Sequence, residues 1–562
     1  MTYDSVCLGL QILGNCDYDP ANPRVYFNIG QLVSVLALFL AFSQLITKPI
    51  VIFRFKAGRI NKVIIFLMFG VAILFVFVAM ILPFVPGQAP PLIGYPVFWE
   101  FLAGALFVIL SAILIYKSFH KPVFNRRNSE AFLLASGVII ARGNDDDLRE
   151  LADEIRDSIK PLFEECRLYY DGDAKISKAR GTEYSVRQST KIAFEILDLW
   201  SDKILCKNIA CKSPGTAIEI IHQLKINYYY NSGGYALSQQ MIHQALTNPD
   251  SILMREEKYS GLGFYNQFRY AVFGNWQFVN SRYRPLEAWN SYYKSTVTDW
   301  QVAKYCDCFE TAFEAYFVEQ KYLDTASLSV GLDHLTTIVQ TQAWHIRHIE
   351  KQDLDNSVEI KIIGAVAYGL GKIIDIVGKH QGKIPEYTFQ EEGYVQSRDK
   401  SIYGVIAFGI YEYYEKLAMA LRHDDAMRFY AITIWLKVFK IGVVRSKIEI
   451  EVGGRLILHL KNKVGENLDS EVRFYPAITR LLITLFGILE SEKKEDMNIE
   501  QKFRAEFIQC LKQDYPKIAL KDPEFAADLL PEEVLYDSVN NELHRRRRRR
   551  EGQVLKLITP EV

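Results

Sequence analysis

Acid is scarce at the start of this chain. Residues 1–127 hold four acidic side chains, Asp4, Asp17, Asp19 and Glu100, against ten Lys and Arg. Three of the four fall before residue 25, where the only base is Arg24. A cleavable signal peptide opens with a basic segment, so this one is not expected to be cleaved. Zinc-ribbon spacing is also lacking: the eight cysteines include no pair of C-x-x-C motifs, which argues against a structural zinc site. "YCDCF" (Cys306, Cys308) is a lone C-x-C and is read as buried, idle thiols in a reducing compartment. No H-E-x-x-H, G-x-S-x-G or G-x-G-x-x-G occurs, so no familiar catalytic or nucleotide motif announces a reaction. A 34-residue tetratricopeptide signature and a fixed armadillo-like period are absent too. Alternating strand patterns are few. "VEIKII" and "KIEIEVGG" are the short candidates, and both also read as helix starts.

What the first segment does have is grease. Three 23-residue apolar runs follow one another, Val25–Thr47, Val63–Val85 and Gly94–Tyr116. At ~1.5 Å per helical residue each reaches ~34 Å, enough to cross the hydrocarbon layer. The second run contains 17 Val, Ile, Leu or Phe, worth about −5 to −10 kcal/mol on an insertion scale as an upper bound. One such run is compatible with a buried soluble helix, but three in succession at bilayer length predict membrane spans. The loop after the first run carries Lys48, Arg54, Lys56, Arg59 and Lys62. Lys117, Lys121, Arg126 and Arg127 follow the third, and the opposite side offers Arg24 alone. The positive-inside rule then puts the N-terminus outside and everything after Tyr116 in the cytoplasm, as expected of a protein of a bacterial inner (plasma) membrane. Cys7 and Cys16 face an oxidising side in that arrangement and are candidates for pairing, which spacing alone does not show. Glu100 is the one acid within the spans. Next to Trp99, about two turns from the outer end, it is read as an interfacial anchor rather than an ion-pathway residue.

The rest of the chain is mildly acidic, with 56 basic and 62 acidic residues. That disfavours a general nucleic-acid surface, which shows basic stripes. Its pattern is helical. Asn144 is a plausible N-cap, Asp145, Asp146 and Asp147 suit the helix dipole, and Leu148, Leu151, Ile155 and Ile159 form one apolar stripe. Ile192, Ile196 and Leu199 repeat the design. Further helices are expected over 327–350, 358–379, 402–421, 426–440, 476–489 and 499–512, with linkers near 171–185, 383–400 and 468–473. The expected fold is all-α: a three-span transmembrane anchor followed by a cytoplasmic irregular bundle or solenoid-like domain. Its divisions are expected at 1–24 (outside), 25–116 (spans), 117–382 and 383–540 (two helical regions) and 541–562 (a basic tail). Residues 226–325 are rich in Tyr, Phe and Trp, which more often pack than stack on a ligand.

Several clusters invite chemistry. "GAVAYGLGK" with Gly369, Gly371 and Lys372 resembles a phosphate loop, but Val366 and Ile373 occupy the positions of the first glycine and the hydroxyl. Gly364, Ala367 and Gly371 are read as close helix packing instead. Asp353, Asp355, Glu359 and Lys361 echo a metal-dependent nuclease triad, and Ser357 as an N-cap accounts for the same letters. His345 and His348, with Glu350, Asp333 and His334 nearby, read as a polar helix face ahead of a metal site. Glu256 and Glu257 flank a Gly-rich turn without a defined role.

Near the C-terminus Arg545, Arg546, Arg547, Arg548, Arg549 and Arg550 stand side by side. On a helix they would ring the axis, which suits a diffuse anion cloud rather than a groove. They are the candidate anion- or membrane-surface-binding residues, each worth up to ~1 kcal/mol near an anionic leaflet; a solvated tail is the plain alternative. The functional expectation is a membrane-anchored, non-enzymatic sensor or interaction platform. A pore-forming effector, as in bacterial defence, and a tethered metal-dependent hydrolase or nuclease are its alternatives. The implied partners are the lipid bilayer and a protein or a second copy, with nucleic acid the weakest. No catalytic residue, metal or cofactor is implied.

Overall fold

The computed structural model describes residues 48–58, 62–81, 96–168, 187–226, 232–258, 267–289, 297–319, 324–346, 349, 357–381, 401–418, 425–439, 448–468, 476–489, 497–545 and 553–558. The chain is predominantly helical and forms two compact units, 1–196 and 197–562.

In the first unit, α1 (Pro49–Ala57) opens with a proline in the first turn, where its missing N–H costs nothing. It lies in the loop between the first two apolar runs, yet Ile50, Val51, Phe53, Phe55 and Ala57 are all buried. Among the described residues two helices are long and apolar enough to cross a membrane, α2 (Lys62–Ile81) and α3 (Pro96–Phe119). They pack on each other through Ala72, Val76, Ala103 and Phe107, with Phe69 edge-on to Phe107 at 5.8 Å. Elsewhere they present bare hydrocarbon: Val63, Leu67, Phe101 and Val108 are all more than half exposed. Only 17% of the apolar window of α2 and 22% of that of α3 is buried, unlike the core helix of a water-soluble domain. The first expected span, 25–47, lies outside the described residues, as do Cys7 and Cys16. Glu100 is buried on α3 beside Trp99, whose ring packs on Phe75 at 5.2 Å.

Three short helices follow, α4 (Ser129–Arg142), α5 (Asp145–Glu154) and α6 (Arg156–Leu168). The Asn144 side chain caps α5 by accepting from the Asp146 N–H at 3.2 Å. The stripe Leu148, Leu151, Ile155 and Ile159 is fully buried. Helix α7 (Gln188–Trp200) spans the division between the units.

The second unit begins with small helices: α8 (Lys203–Lys212), α9 (Pro214–Ile226), α10 (Ser232–Thr247), α11 (Ile252–Lys258), α12 (Gln267–Phe273) and α13 (Trp276–Val279). Longer ones follow: α14 (Asp299–Val318), α15 (Ala326–Ile346), α16 (Val358–His380), α17 (Ile402–Ala418), α18 (Asp425–Val438), α19 (Gly454–Leu468), α20 (Pro476–Phe486), α21 (Ile499–Lys521) and α22 (Pro523–Asp528). From α14 to α19 each helix packs on the next but one. α14, α16, α18 and α20 form one row and α15, α17, α19 and α21 the other. These helices make a two-row stack. "VEIKII" is the first turn and a half of α16, with the Ser357 hydroxyl accepting from the Ile360 N–H at 3.3 Å. "KIEIEVGG" enters a π-turn, Glu449–Gly453, that feeds α19. The aromatic middle region packs inward. Trp289 lies 4.8 Å from Tyr305, whose hydroxyl donates to the Leu286 carbonyl at 2.7 Å.

The chain is not wholly helical. Strands β1 (Val534–Asp537), β2 (Glu542–Arg545) and β3 (Gln553–Lys556) form an antiparallel sheet in sequence order. Asn541, with φ of 52°, completes the turn between β1 and β2, a conformation asparagine tolerates better than most residues. Alternation sets the faces: Leu543 and Leu555 are buried, while Leu535, His544 and Val554, paired side by side, stand half exposed on the other side. The chain is mostly helical, as expected, with this small sheet added near residue 545; Arg545, the first of the arginine run, lies in a strand, and Arg546–Arg550 lie outside the described residues. Arg545 pairs with Val534 of β1 and Gln553 of β3.

Candidate functional site: a joint beneath the apolar helices

"PIVIFRFKA" carries two cations, Lys56, which is exposed, and Arg54, which is set among its apolar side chains. Since α1 buries its apolar side chains, Arg54 is drawn in with them, and its side chain is only 18% exposed. A charge so placed needs partners. Arg54 donates to the Ser118 carbonyl in the last turn of α3 and to the Glu154 carboxylate at the end of α5. Glu154 is 3% exposed, so the ion pair is essentially buried. One guanidinium therefore ties together α1, the C-terminal end of α3 and the helices beyond it.

Other contacts close the same joint. Asn128, at the N-cap of α4, donates through Nδ2 to the Ala57 carbonyl at 3.1 Å and the Val123 carbonyl at 2.9 Å. Its Oδ1 accepts from the Asn125 N–H at 2.8 Å. The Ser158 hydroxyl on α6 accepts from the Phe124 N–H at 3.0 Å. Phe132 lies edge-on to both Phe53 and Phe124, at 5.2 and 5.8 Å. Pairing Ala57 with Asn128 and Phe53 with Phe132 makes α1 and α4 antiparallel. Arg126 Nε bonds Glu165 Oε2 at 2.8 Å, and Ser189 and Thr190 donate to Oε1. Burial alone raises the Glu165 pKa, but these donors outweigh it and hold the carboxyl below its ordinary value. The arrangement is a mechanical connection: α1 cannot shift relative to α5 without breaking a buried charge pair, nor relative to α3 without breaking the Arg54–Ser118 hydrogen bond.

The residues singled out in the sequence are placed as follows. Arg545 is 17% exposed, and its Nη2 is 3.1 Å from Glu533 Oε1. Glu533 also takes Arg428 from α18. Arg546 to Arg550 lie outside the described residues. Glu359 and Lys361 occupy the first turn of α16, while Asp353 and Asp355 lie outside the described residues. His345 ends α15, and His348 and Glu350 lie outside the described residues. His334 is half-buried, and desolvation, opposed by Asp333, lowers its pKa. Gly369, Gly371 and Lys372 lie within α16, where Lys372 pairs with Glu310 at 2.8 Å and Asp307 at 3.4 Å. A Cβ on Gly369 would meet Cys306 Sγ at 2.6 Å, and one on Gly364 the Tyr430 hydroxyl at 2.5 Å. These are packing glycines. Glu256 is buried and accepts from the Phe268 N–H at 2.5 Å, at the start of α12. Cys306 and Cys308 are buried, and burial pushes their thiols far up, as suits idle cysteines. Among the described residues no three His, Cys, Asp or Glu side chains are grouped to hold a metal ion.

Sequence reasoning missed the pairing of Arg54 with Glu154, which are 100 residues apart. The available signal was the lone arginine inside an apolar nine-residue stretch. No family model, curated protein or solved structure matches the chain.

Proposed function

We propose that this protein is a membrane-anchored, non-enzymatic sensor or interaction platform. Three spans, Val25–Thr47 joining α2 and α3, hold it in a bacterial inner membrane with the N-terminus outside and the helical stack in the cytoplasm. The stack binds a protein partner or ligand, and the joint passes the change to the spans. The observation that supports this reading is the three-way bond of Arg54. A passive anchor needs no buried charge between its inter-span helix and the helices that follow, whereas a relay needs a connection of this kind. The arginine run supplies a second attachment, to an anionic surface, for which Arg546 to Arg550 remain the candidates.

The test is reconstitution of the full chain in dye-loaded vesicles, together with isolation of its cellular complexes. A partner recovered in fixed stoichiometry, with the vesicles sealed, supports the platform. The Arg54→Met, Glu154→Met double variant should then keep the partner while α1 no longer changes its protease protection on binding. Vesicle leakage would replace this reading with that of a pore-forming effector. Mg²⁺-dependent nuclease activity lost in Glu359→Ala would replace it with an enzyme.

A further inference from the structure

Helix α4 carries no charge from Ala131 to Ala141. Its inner face, Phe132, Ala135, Ser136 and Ile139, is buried against its neighbours. The opposite face is apolar too. Leu134 is 62% exposed and Val138 39%, with Ala141 exposed beside them. A helix that is hydrophobic all round belongs in a core or in lipid. Its position identifies the cover. Asn128 at its N-cap bonds α1 at Ala57, and α1 bonds the last turn of α3 at Ser118. Helix α4 therefore starts within about one turn of the inner end of an apolar helix of bilayer length. Arg127 and Arg142, both exposed, bracket it at either end, as cations bracket helices lying at the phosphate level. Phe119, 77% exposed, and Tyr116, 58% exposed, add the aromatic side chains typical of the interface at the same end of α3.

We propose that α4 is an interfacial helix, lying in the headgroup region of the bilayer with Leu134 and Val138 against lipid. This rests on the reading that α2 and α3 cross the membrane. The 14-residue helix, about 21 Å long, adds a lipid-facing foot to the spans and sets the depth of the joint. The membrane then contacts the protein through the element that packs on α1, so lipid composition acts on the joint directly.

The experiment places the photo-crosslinker benzoylphenylalanine singly at three positions of the full chain in phospholipid nanodiscs: Leu134, Val108 on the exposed face of α3, and Lys160 on the exposed face of α6. Adducts are identified by mass spectrometry. The proposal expects lipid adducts at Leu134 comparable to those at Val108 and well above those at Lys160. Lipid adducts at Val108 without any at Leu134 would overturn it and leave the spans intact, as would crosslinks from Leu134 to another copy or another part of the chain. An absence of lipid adducts at both positions would overturn the spans and the foot together.

Discussion

Arg54 and Glu154 show how one pair can be both strong and replaceable. Two buried charges gain from each other mainly what desolvation took away, so removing one leaves the other stranded. Arg54→Met alone should therefore cost about 3–5 kcal/mol, whereas Arg54→Met with Glu154→Met should stay within about 1 kcal/mol of the parent or exceed it. Denaturation of the detergent-solubilised chain, followed by hydrogen exchange in α1 and α5, separates the two outcomes. Glu412 on α17 gives a pH-dependent counterpart. Burial, reinforced by Asp333, raises its pKa despite Lys416 and the hydroxyl of Thr336. A raised folded value means a contribution that is fully present below the unfolded value of about 4.3 and lost as pH rises through the folded one. Glu412→Gln should then be more stable than the parent at pH 7, with the difference vanishing near pH 4, as read by urea midpoints across that range. Neither residue's role was legible in the sequence, because each depends on a partner in a different helix. Ser357 and Asn144 were legible, because a cap acts on the next three residues and needs nothing distant.

The elements most readable in advance were those with a local cause. α2 and α3 follow from long apolar runs, and α16 starts where Ser357 caps it. Glycines inside α16 were also readable as packing points, since the phosphate-loop pattern fails at Val366 and Ile373. The structure adds their partners. Gly369 faces Cys306, whose Cβ would lie 2.8 Å from an added methyl group and is too close to the backbone to move aside. Gly369→Ala should cost about 1–3 kcal/mol by forcing α14 from α16. Gly70 on α2 has nothing within 4 Å of an added Cβ, so Gly70→Ala should leave thermal stability in detergent unchanged or slightly raised. Helix α1 was unreadable as a buried element. Its two bases, Arg54 and Lys56, with Lys48, Arg59 and Lys62 around them, signalled only which side of the membrane the loop should face, and that signal is blind to packing. The three strands were missed for another reason. Each is four residues long, shorter than a periodicity needs to declare itself, and the arginines interrupt the last pair.

At the scale of the whole molecule, composition indicated a membrane segment and a long helical remainder, and the helices are there. The two-row stacking could not be read, since no fixed repeat marks it. Neighbouring helices meet through unlike residues, such as Gly364 on Tyr430 and Gly331 on Phe309, so shape complementarity replaces a recurring motif. The proposed anchor adds a consequence for purification. With Val63, Phe66, Phe101 and Val108 each more than 60% exposed, the chain should sediment with membranes after alkaline carbonate washing and be released by detergent. A chain lacking residues 1–121 should not sediment with them.

The small sheet at the far end bears on how the protein is kept from sticking to itself. β3 covers one side of β2, and the Ile558 N–H bonds the Lys512 carbonyl, fastening the chain's end to α21. Stripping off residues 553–562 would leave β2 as a bare ribbon margin, the kind that recruits strands from other molecules. Arginines 546–550 directly follow that margin in the sequence, so such a truncated chain would carry its own electrostatic fence. It should stay dispersed in dilute buffer and clump once salt has shortened the Debye length to a few ångströms.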